Sequence, residues 1–259
     1  MFGKKRKEMK KLIGIALTSS LLTLSSCDVL NDTANTVLDA PMPGEEDGQA
    51  SNQLTNKEVI SGLKEALTVG IKNAVDVTSV TDGFLKNQSI KLPFPESAER
   101  MKEKALEWGL DSQVDKIVTT LNRAAEDAAK EATPIFVDAI KNMSVQDGFA
   151  ILNDGEGAAT QYLRKNTEDQ LVEAFSPKVE ESIKEVKLTE YWNPVMTKYN
   201  QATVLTGEEK IETDLNKYVT EKAIDGLFHM VKKEENKIRK DPAARVTDLL
   251  SKVFGSVKD

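Results

Sequence analysis

The feature that most constrains the fold is a repeated pairing of helix-capping residues with apolar residues at helical spacing. Thr55-Asn-Lys-Glu58 and Ser144-Val-Gln-Asp147 have the capping-box form, in which two side chains satisfy free backbone amides of the first turn. Apolar residues then recur every three or four positions, as on the buried face of a helix. Runs with the alternation typical of strands are absent from this sequence. The pattern therefore predicts an all-α, single multi-helix domain of about nine to eleven helices, from residue 54 to residue 259.

Further helix starts are predicted from the same two signatures. Some have capping-box form and others place proline directly after a capping residue, where its missing N–H costs nothing. They are Asp111 or Ser112, Thr133-Pro134, Thr167-Glu-Asp-Gln170, Ser176-Pro177, Thr206-Gly-Glu-Glu209 and Asp241-Pro242. A last helix is expected over Val246–Phe254, and Gln88–Pro95 is the one extended candidate because prolines disfavour the α region in the preceding residue.

Composition excludes several classes of function. The chain has a formal charge of −7 and a pI near 5.1, whereas nucleic-acid-binding proteins usually carry a basic footprint. It contains one Cys and one His, so it cannot build an intrachain disulfide or a structural zinc site of four Cys and His ligands. We therefore expect no nucleic-acid partner, no metal and no cofactor.

The first residues have the form of a bacterial lipoprotein signal peptide. A basic segment, MFGKKRKEMKK, precedes a mostly apolar segment from Leu12 to Leu24, which is too short to cross about 30 Å of hydrocarbon. Leu24-Ser-Ser-Cys27 resembles a lipobox. The resemblance implies cleavage after residue 26, diacylglycerol on the Cys27 sulfur and palmitate-type acylation of its new amino group. The alternative is a plain secretory signal with a chance Cys, and either Met1 or Met9 could be the start.

Residues 27–53 are interpreted as the acylated Cys27 followed by a flexible tether. The segment is rich in Asp, Asn, Pro, Gly and Ser, and its root-mean-square reach is roughly 28 Å. Cleavage would remove six basic residues and one acidic residue, so the charge would fall from −7 to −12. The expected location is the cell envelope, with the protein anchored in the inner or the outer membrane and its body in the periplasm or at the cell surface.

The stretch from 143 to 167 holds the candidate ligand-binding residues. An EF-hand register fails because apolar residues fall on ligand positions. Gly155 and Gly157 could expose amides to a small anion at a helix start, although Asp154 and Glu156 are expected to occupy that N-terminus themselves. One interpretation is two capped helices joined at residues 153–155. The other is a pocket, whose candidate residues are Asp147, Asp154, Thr160, Tyr162 and Arg164.

Three further features have two interpretations each. The aromatic residues Tyr191, Trp192 and Tyr199 form either a core corner or an exposed partner surface. His229, between Phe228 and Met230, is expected in the interior or at its boundary rather than in a catalytic role. The run 232–240 mixes both charges and is expected to be a solvated helix face.

Ordered segments of the body resemble one bacterial family. They include GLKEALTVGIKNAV, DGFLKNQSIKLPFP, LVEAFSPKV, KYVTEKAIDGLFHMV and DPAARVTDLLSKVFG. The most specific residues are Asp147, Ala150-Ile-Leu-Asn153 and Ala158-Ala-Thr-Gln-Tyr162. Over about 55–256 the chain is similar to the lipoprotein-type family called domain of unknown function 4197. The resemblance implies an exported, all-helical protein and brings no activity, substrate or catalytic residue.

The sequence leaves three functional hypotheses. The first is a lipid-anchored envelope protein that binds another envelope protein or a small amphiphile without catalysis. The second is a hydrolase-like enzyme that uses Asp147, Asp154 and Arg164. The third is a structural scaffold at the membrane. The sequence favours binding because it contains no recognisable catalytic set.

Overall fold

The computed structural model describes residues 55–241, which form eight α-helices and two short 3-10 turns, with no strand in that range. The all-α prediction is confirmed. The signal peptide, Cys27, the tether and the helix expected over 246–254 lie outside the described residues. The helices are α1 (Asn56–Thr78), α2 (Glu99–Glu107), α3 (Asp111–Ala128), α4 (Ala132–Asn142), α5 (Val145–Asn153), α6 (Ala158–Glu185), α7 (Leu188–Thr206) and α8 (Leu215–Lys240); the 3-10 turns are Glu96–Ala98 and Ala129–Glu131.

Two of the predicted capping boxes begin helices as expected. At α1, the Glu58 backbone amide donates to the Thr55 hydroxyl and the Thr55 amide donates to the Glu58 carboxylate, at 3.3 and 2.8 Å. At α5, Ser144 and Asp147 exchange the same pair of bonds, both at 3.1 Å. The first turns of both helices are therefore satisfied by their own side chains.

The starts predicted at Asp111 or Ser112 and at Thr133-Pro134 are confirmed to within two residues, because α3 begins at Asp111 and α4 at Ala132, although neither has a side-chain cap. Three other predicted starts are wrong. Thr167 and Ser176-Pro177 lie inside α6, and Thr206 ends α7 instead of starting a helix. Capping residues also occur in helix interiors, so this local pattern does not fix a helix start by itself.

The long α6 illustrates why the helix continues through these false starts. Leu163, Leu171, Phe175 and Val179 are all fully buried and recur at helical spacing. The Thr167 hydroxyl donates to the Leu163 carbonyl at 2.7 Å, which satisfies it inside the helix. Burial of a continuous apolar stripe therefore outweighs the local capping signal.

The last helix of the described residues, α8, packs against α1, α3 and α6. Its apolar face includes Leu227 and Phe228, and the Phe228 ring meets Phe136 of α4 edge-on at 5.4 Å. Contacts with α1 pair Asn73 with Glu234 and Gly70 with Ile238. The residue numbers of α8 rise as those of α1 fall, so the two helices run antiparallel. The end of α8 therefore lies beside the middle of α1.

Residues 79–95, between α1 and the first 3-10 turn, are non-helical. The prediction of an extended segment over 88–95 is wrong for residues 88–90, which form a turn in which the Ile90 and Lys91 amides donate to the Asn87 carbonyl. Polar side chains hold the backbone that follows this turn. The Asn122 side chain accepts from the Leu92 amide and donates to the Leu92 carbonyl, at 2.8 and 2.9 Å. The Tyr218 hydroxyl donates to the Pro93 carbonyl at 2.8 Å, and burial raises the pKa of Tyr218 to about 12. These bonds replace the strand partners that an extended segment would otherwise need.

Candidate functional site

The junction between α5 and α6 carries the candidate ligand-binding residues. Asp154 follows the last residue of α5, and its backbone amide donates to the Ala150 carbonyl at 2.9 Å. Gly155 and Gly157 have φ values of 80° and 81°, a left-handed conformation that favours glycine. The expected turn over residues 153–155 is present, and α6 begins directly after Gly157.

The N-terminus of α6 is satisfied by Glu235 of α8. The Glu235 carboxylate accepts from the amides of Ala159 and Thr160, at 3.1 and 2.9 Å, and from the Thr160 hydroxyl at 2.7 Å. The expectation that Asp154 and Glu156 would satisfy these amides is therefore wrong. A carboxylate from a distant helix already occupies the position that a small anion would take.

Arg239 completes this arrangement. Its Nε donates to Glu235 at 3.0 Å, and its Nη2 donates to the Ile151 carbonyl near the end of α5 at 2.8 Å. The side chains of Glu235 and Arg239 are only 5% and 13% exposed. One buried ion pair on α8 thus joins the end of α5 to the start of α6.

Thr160 and Arg164 face α8 instead of a cavity. Thr160 is buried against Glu235, as described above. The Arg164 guanidinium donates to Glu168 at 2.7 Å and to Asp225 of α8 at 3.0 Å, and it lies 4.4 Å from the centre of the Phe228 ring. Both side chains therefore stabilise the contact between α6 and α8.

Asp147, Asp154 and Tyr162 line one open recess between α5 and α6, with a volume of about 270 Å³. Gln161 and Lys165 also line it, whereas Thr160 and Arg164 do not. Three of the five candidate residues thus share a surface. We call it the α5–α6 recess.

The electrostatics of this recess follow from its hydrogen bonds. The side-chain hydroxyl of Ser144, and then its backbone amide, donate to Asp147 and lower the pKa of that carboxyl. Burial raises the pKa of the Tyr162 phenol, and the negative charge of Asp147 raises it further. At neutral pH the recess therefore presents an ionised Asp147 beside a neutral phenol, which suits polar recognition more than proton transfer.

The aromatic residues Tyr191, Trp192 and Tyr199 are mostly internal. The interpretation as an exposed partner surface is therefore wrong for two of the three. Trp192 and Tyr199 are each 2% exposed. The Trp192 ring stacks on Phe94 with the ring centres 5.4 Å apart. Tyr191 is half-buried, with the Lys116 ammonium 5.3 Å from its ring centre. Trp192 thus packs against the segment between α1 and α2, whereas Tyr191 lies beside α3 and the Tyr199 hydroxyl donates to Glu208 at 3.3 Å.

His229 is exposed, so the expectation of an interior or boundary position is wrong. It lines a second open recess, of about 310 Å³, together with Lys91, Lys222 and Asp225. The apolar neighbours of His229 in sequence, Phe228 and Met230, are buried. Adjacent residues of a helix point in different directions, which is why apolar neighbours did not imply burial.

An apolar void lies between α1, α6 and α8, where Leu67, Leu163 and Val231 are part of its lining. Its volume is about 20 Å³, close to what one water molecule needs. Ligand pockets for small molecules measure about 300–1,000 Å³. This void is therefore too small for an acyl chain.

Two further findings concern the part of the chain between residues 55 and 241. It contains no cluster of three His, Cys, Asp or Glu side chains arranged to hold a metal ion. None of its helices combines the length and the apolar character needed to cross a bilayer.

Comparison with known families gives a match over most of the chain. The model of the family described as protein of unknown function DUF4197 matches residues 53–255. The chain belongs to this family. Searches of curated proteins and of solved structures gave no significant match. Within this DUF4197 protein, the matched region includes the α5–α6 junction and the Glu235–Arg239 pair that stabilises it.

Proposed function

We propose that this DUF4197 protein is a lipid-anchored protein of the bacterial envelope that binds another envelope protein without catalysing a reaction. Support for the anchor comes from the lipobox-like Leu24-Ser-Ser-Cys27 after a basic and an apolar segment. The observation that carries the binding role is the open α5–α6 recess, where polar side chains meet at a solvent-facing surface.

The positions of the candidate residues favour binding over hydrolysis. A hydrolase that uses Asp147, Asp154 and Arg164 would need these groups around one reacting atom. Asp147 caps α5, and Arg164 is held by Glu168 and Asp225 outside the recess. The arginine that would stabilise a developing charge is therefore bound to α8.

A protein partner fits the geometry better than a small amphiphile. An amphiphile needs an enclosed apolar pocket, and the void between α1, α6 and α8 holds only about 20 Å³. The scaffold hypothesis calls for a large exposed apolar patch. The most exposed large apolar side chains of the described residues are Val204 and Leu205, at 73% and 90%, which are two adjacent residues at the end of α7.

The anchor is tested by metabolic labelling. Cells that express the full chain and are fed radioactive palmitate should label the protein, and Cys27→Ser should abolish the label and release the protein from the membrane fraction. Unchanged labelling of the Cys27→Ser variant, or absence of label in the wild type, would contradict the anchor.

The binding surface is tested by site-specific photo-crosslinking in intact cells. A photoreactive amino acid replaces Gln161, which is exposed in the recess, and in a matched control it replaces the exposed Val172 of α6. We expect an adduct from position 161 that is lost with Asp154→Asn and is not formed from position 172. Equal adducts from both positions would contradict a specific surface, and turnover of an envelope substrate that one point change abolishes would contradict the non-catalytic role.

A further inference from the structure

The fold separates charges that the sequence mixes at the end of α8. The run from 232 to 240 contains two acidic and five basic residues, which predicts a solvated face of both signs. Both acids turn toward the protein. Glu234 accepts from the Asn73 side chain of α1 at 3.0 Å, and Glu235 is buried at the start of α6. Arg239 turns inward with Glu235, and four lysines remain.

The outward side of α8 is therefore basic. We define the α8 basic face by residues that succeed one another at helical spacing along that side: Lys222, His229, Lys233, Lys237 and Lys240. All are exposed except Lys222, which is half-buried. Lys91 lies beside this face in the recess that it shares with Lys222 and His229.

Three carboxylates lie on or beside this face: Asp225, Glu156 and the exposed Asp241, which follows Lys240 directly. Asp225, which lies next to Lys222 and His229, is paired with Arg164 at 3.0 Å. Glu156 is paired with Lys240 at 2.6 Å. Because Glu156 offsets Lys240, the positive charge of the α8 basic face comes from Lys222, Lys233 and Lys237, on a mature protein whose expected charge is −12.

The direction of α8 places this face relative to the attachment point of the tether. The lysine-rich end of α8 lies beside residues 70–73, near the middle of α1. These residues are roughly 22 Å along the helix from Thr55, from which the tether continues. A tether of the length expected here reaches only roughly 28 Å, so the anchor would keep the domain, and with it this face, close to the membrane.

We propose that the α8 basic face lies on the anionic headgroups of the membrane that holds the anchor, which orients the domain on the bilayer. The inference rests on the lipid anchor of the proposed function. Lysines near an anionic surface each contribute about 1 kcal/mol of attraction, equivalent to about fivefold in partitioning. The local charge of the face, rather than the net charge of the protein, decides this attraction because salt screens charges beyond about 10 Å.

The test uses the mature chain, residues 27–259 with Cys27→Ser, and vesicle sedimentation. Vesicles consist of phosphatidylcholine alone or of phosphatidylcholine mixed with phosphatidylglycerol. We expect sedimentation with the mixed vesicles only, and weaker binding at high salt. The triple change Lys222→Gln, Lys233→Gln and Lys237→Gln should weaken partitioning on the order of a hundredfold, at about fivefold for each lysine.

A matched triple variant controls for net charge. Lys141→Gln, Lys184→Gln and Lys187→Gln remove three lysines that are 70%, 71% and 63% exposed outside α8, and this variant should bind like the wild type. Equal losses in the two triple variants, or binding that does not depend on anionic lipid, would overturn the proposal. Binding to immobilised polyglutamate without binding to vesicles would overturn it in favour of an acidic protein partner. The Cys27→Ser protein used with the vesicles carries no lipid, so the vesicle result does not depend on acylation. Failure of this proposal is therefore distinguishable from failure of the lipid anchor, which palmitate labelling tests.

Discussion

At the scale of single residues, Glu235 has the largest structural role at the candidate site. Its carboxylate accepts from two backbone amides, one hydroxyl and Arg239. We expect Glu235→Gln to lower the free energy of unfolding by about 3 kcal/mol, because it removes the buried negative charge that accepts from two amides, a hydroxyl and Arg239. Urea denaturation measures this change.

Glu168→Gln is the matched control for that prediction. Glu168 also pairs with an arginine, Arg164, at 2.7 Å, but its side chain is 46% exposed. Exposed pairs contribute about 0–1 kcal/mol, so the control should be close to the wild type. Similar losses in both variants would show that burial of the Glu235 pair does not determine its contribution.

Replacing two helical glycines by alanine should change the stability of the protein in opposite directions. A Cβ at Gly226 of α8 would lie 2.5 Å from the buried Phe84 ring, whereas at Gly70 of α1 its nearest neighbours are 3.5 and 3.7 Å away. We expect Gly226→Ala to destabilise the protein by about 1–3 kcal/mol through overpacking. Gly70→Ala should stabilise it by about 0.5 kcal/mol, because alanine loses less backbone entropy in a helix. The midpoint of thermal unfolding measures both changes. A loss of stability in Gly70→Ala would contradict the open space described around Gly70.

At the scale of elements, the cap of α5 gives a pH-dependent prediction. Hydrogen bonds from Ser144 lower the pKa of Asp147 below its ordinary value of 3.8. The ionised carboxylate therefore favours the folded state, and its contribution is present above pH 3.8 and is lost as pH falls through the lower, folded-state pKa. We expect Asp147→Asn to be less stable than the wild type near neutral pH, with the difference disappearing in acid, as measured by urea unfolding at several pH values.

The partner variant Ser144→Ala provides the control. Ser144 supplies the bonds that shift Asp147, so Asp147→Asn should have a smaller effect in the Ser144→Ala background than in the wild type. A pH-dependent difference of the same size in both backgrounds would show that Ser144 is not its cause.

The success of sequence-based prediction differed between elements for physical reasons. The caps at Thr55 and Ser144 involve residues three positions apart, so the sequence displays both partners. Thr167 has the same local pattern, but its position inside α6 is decided by burial of Leu163 and Leu171 against other helices. Tertiary packing of this kind is not visible in a local pattern.

The candidate site was predicted in part. The turn after α5 followed from Asn153-Asp154-Gly155, and the recess contains Asp147, Asp154 and Tyr162. The cap of α6 was missed because Glu235 lies 75 residues from Thr160 in a run of mixed charges. In such a run the sequence does not show which acid turns inward.

At the scale of the whole molecule, the loop between α7 and α8 predicts where the native protein is cut. Residues 207–210 are exposed and non-helical, and Lys210 lies among them. We expect trypsin to cleave after Lys210 before any site within the helices of the described residues, because loop backbone fits a protease most readily. Mass spectrometry of a short digest identifies the first site.

The two fragments should remain together after that cut, because α8 packs against α1, α3 and α6. Co-elution on gel filtration measures their association, and Lys210→Gln should remove the early cut. Dissociation of the fragments, or a first cut within α8, would contradict the central position of this helix.

The cap that α8 provides to α6 also has a consequence for the order of folding. A helix that carries its own cap can complete its first turn locally, as α1 and α5 do. The first turn of α6 is completed only when Glu235 arrives from 75 residues away, after the intervening chain has been closed into a loop. The α5–α6 recess is therefore finished late in folding, and its architecture depends on the docking of α8.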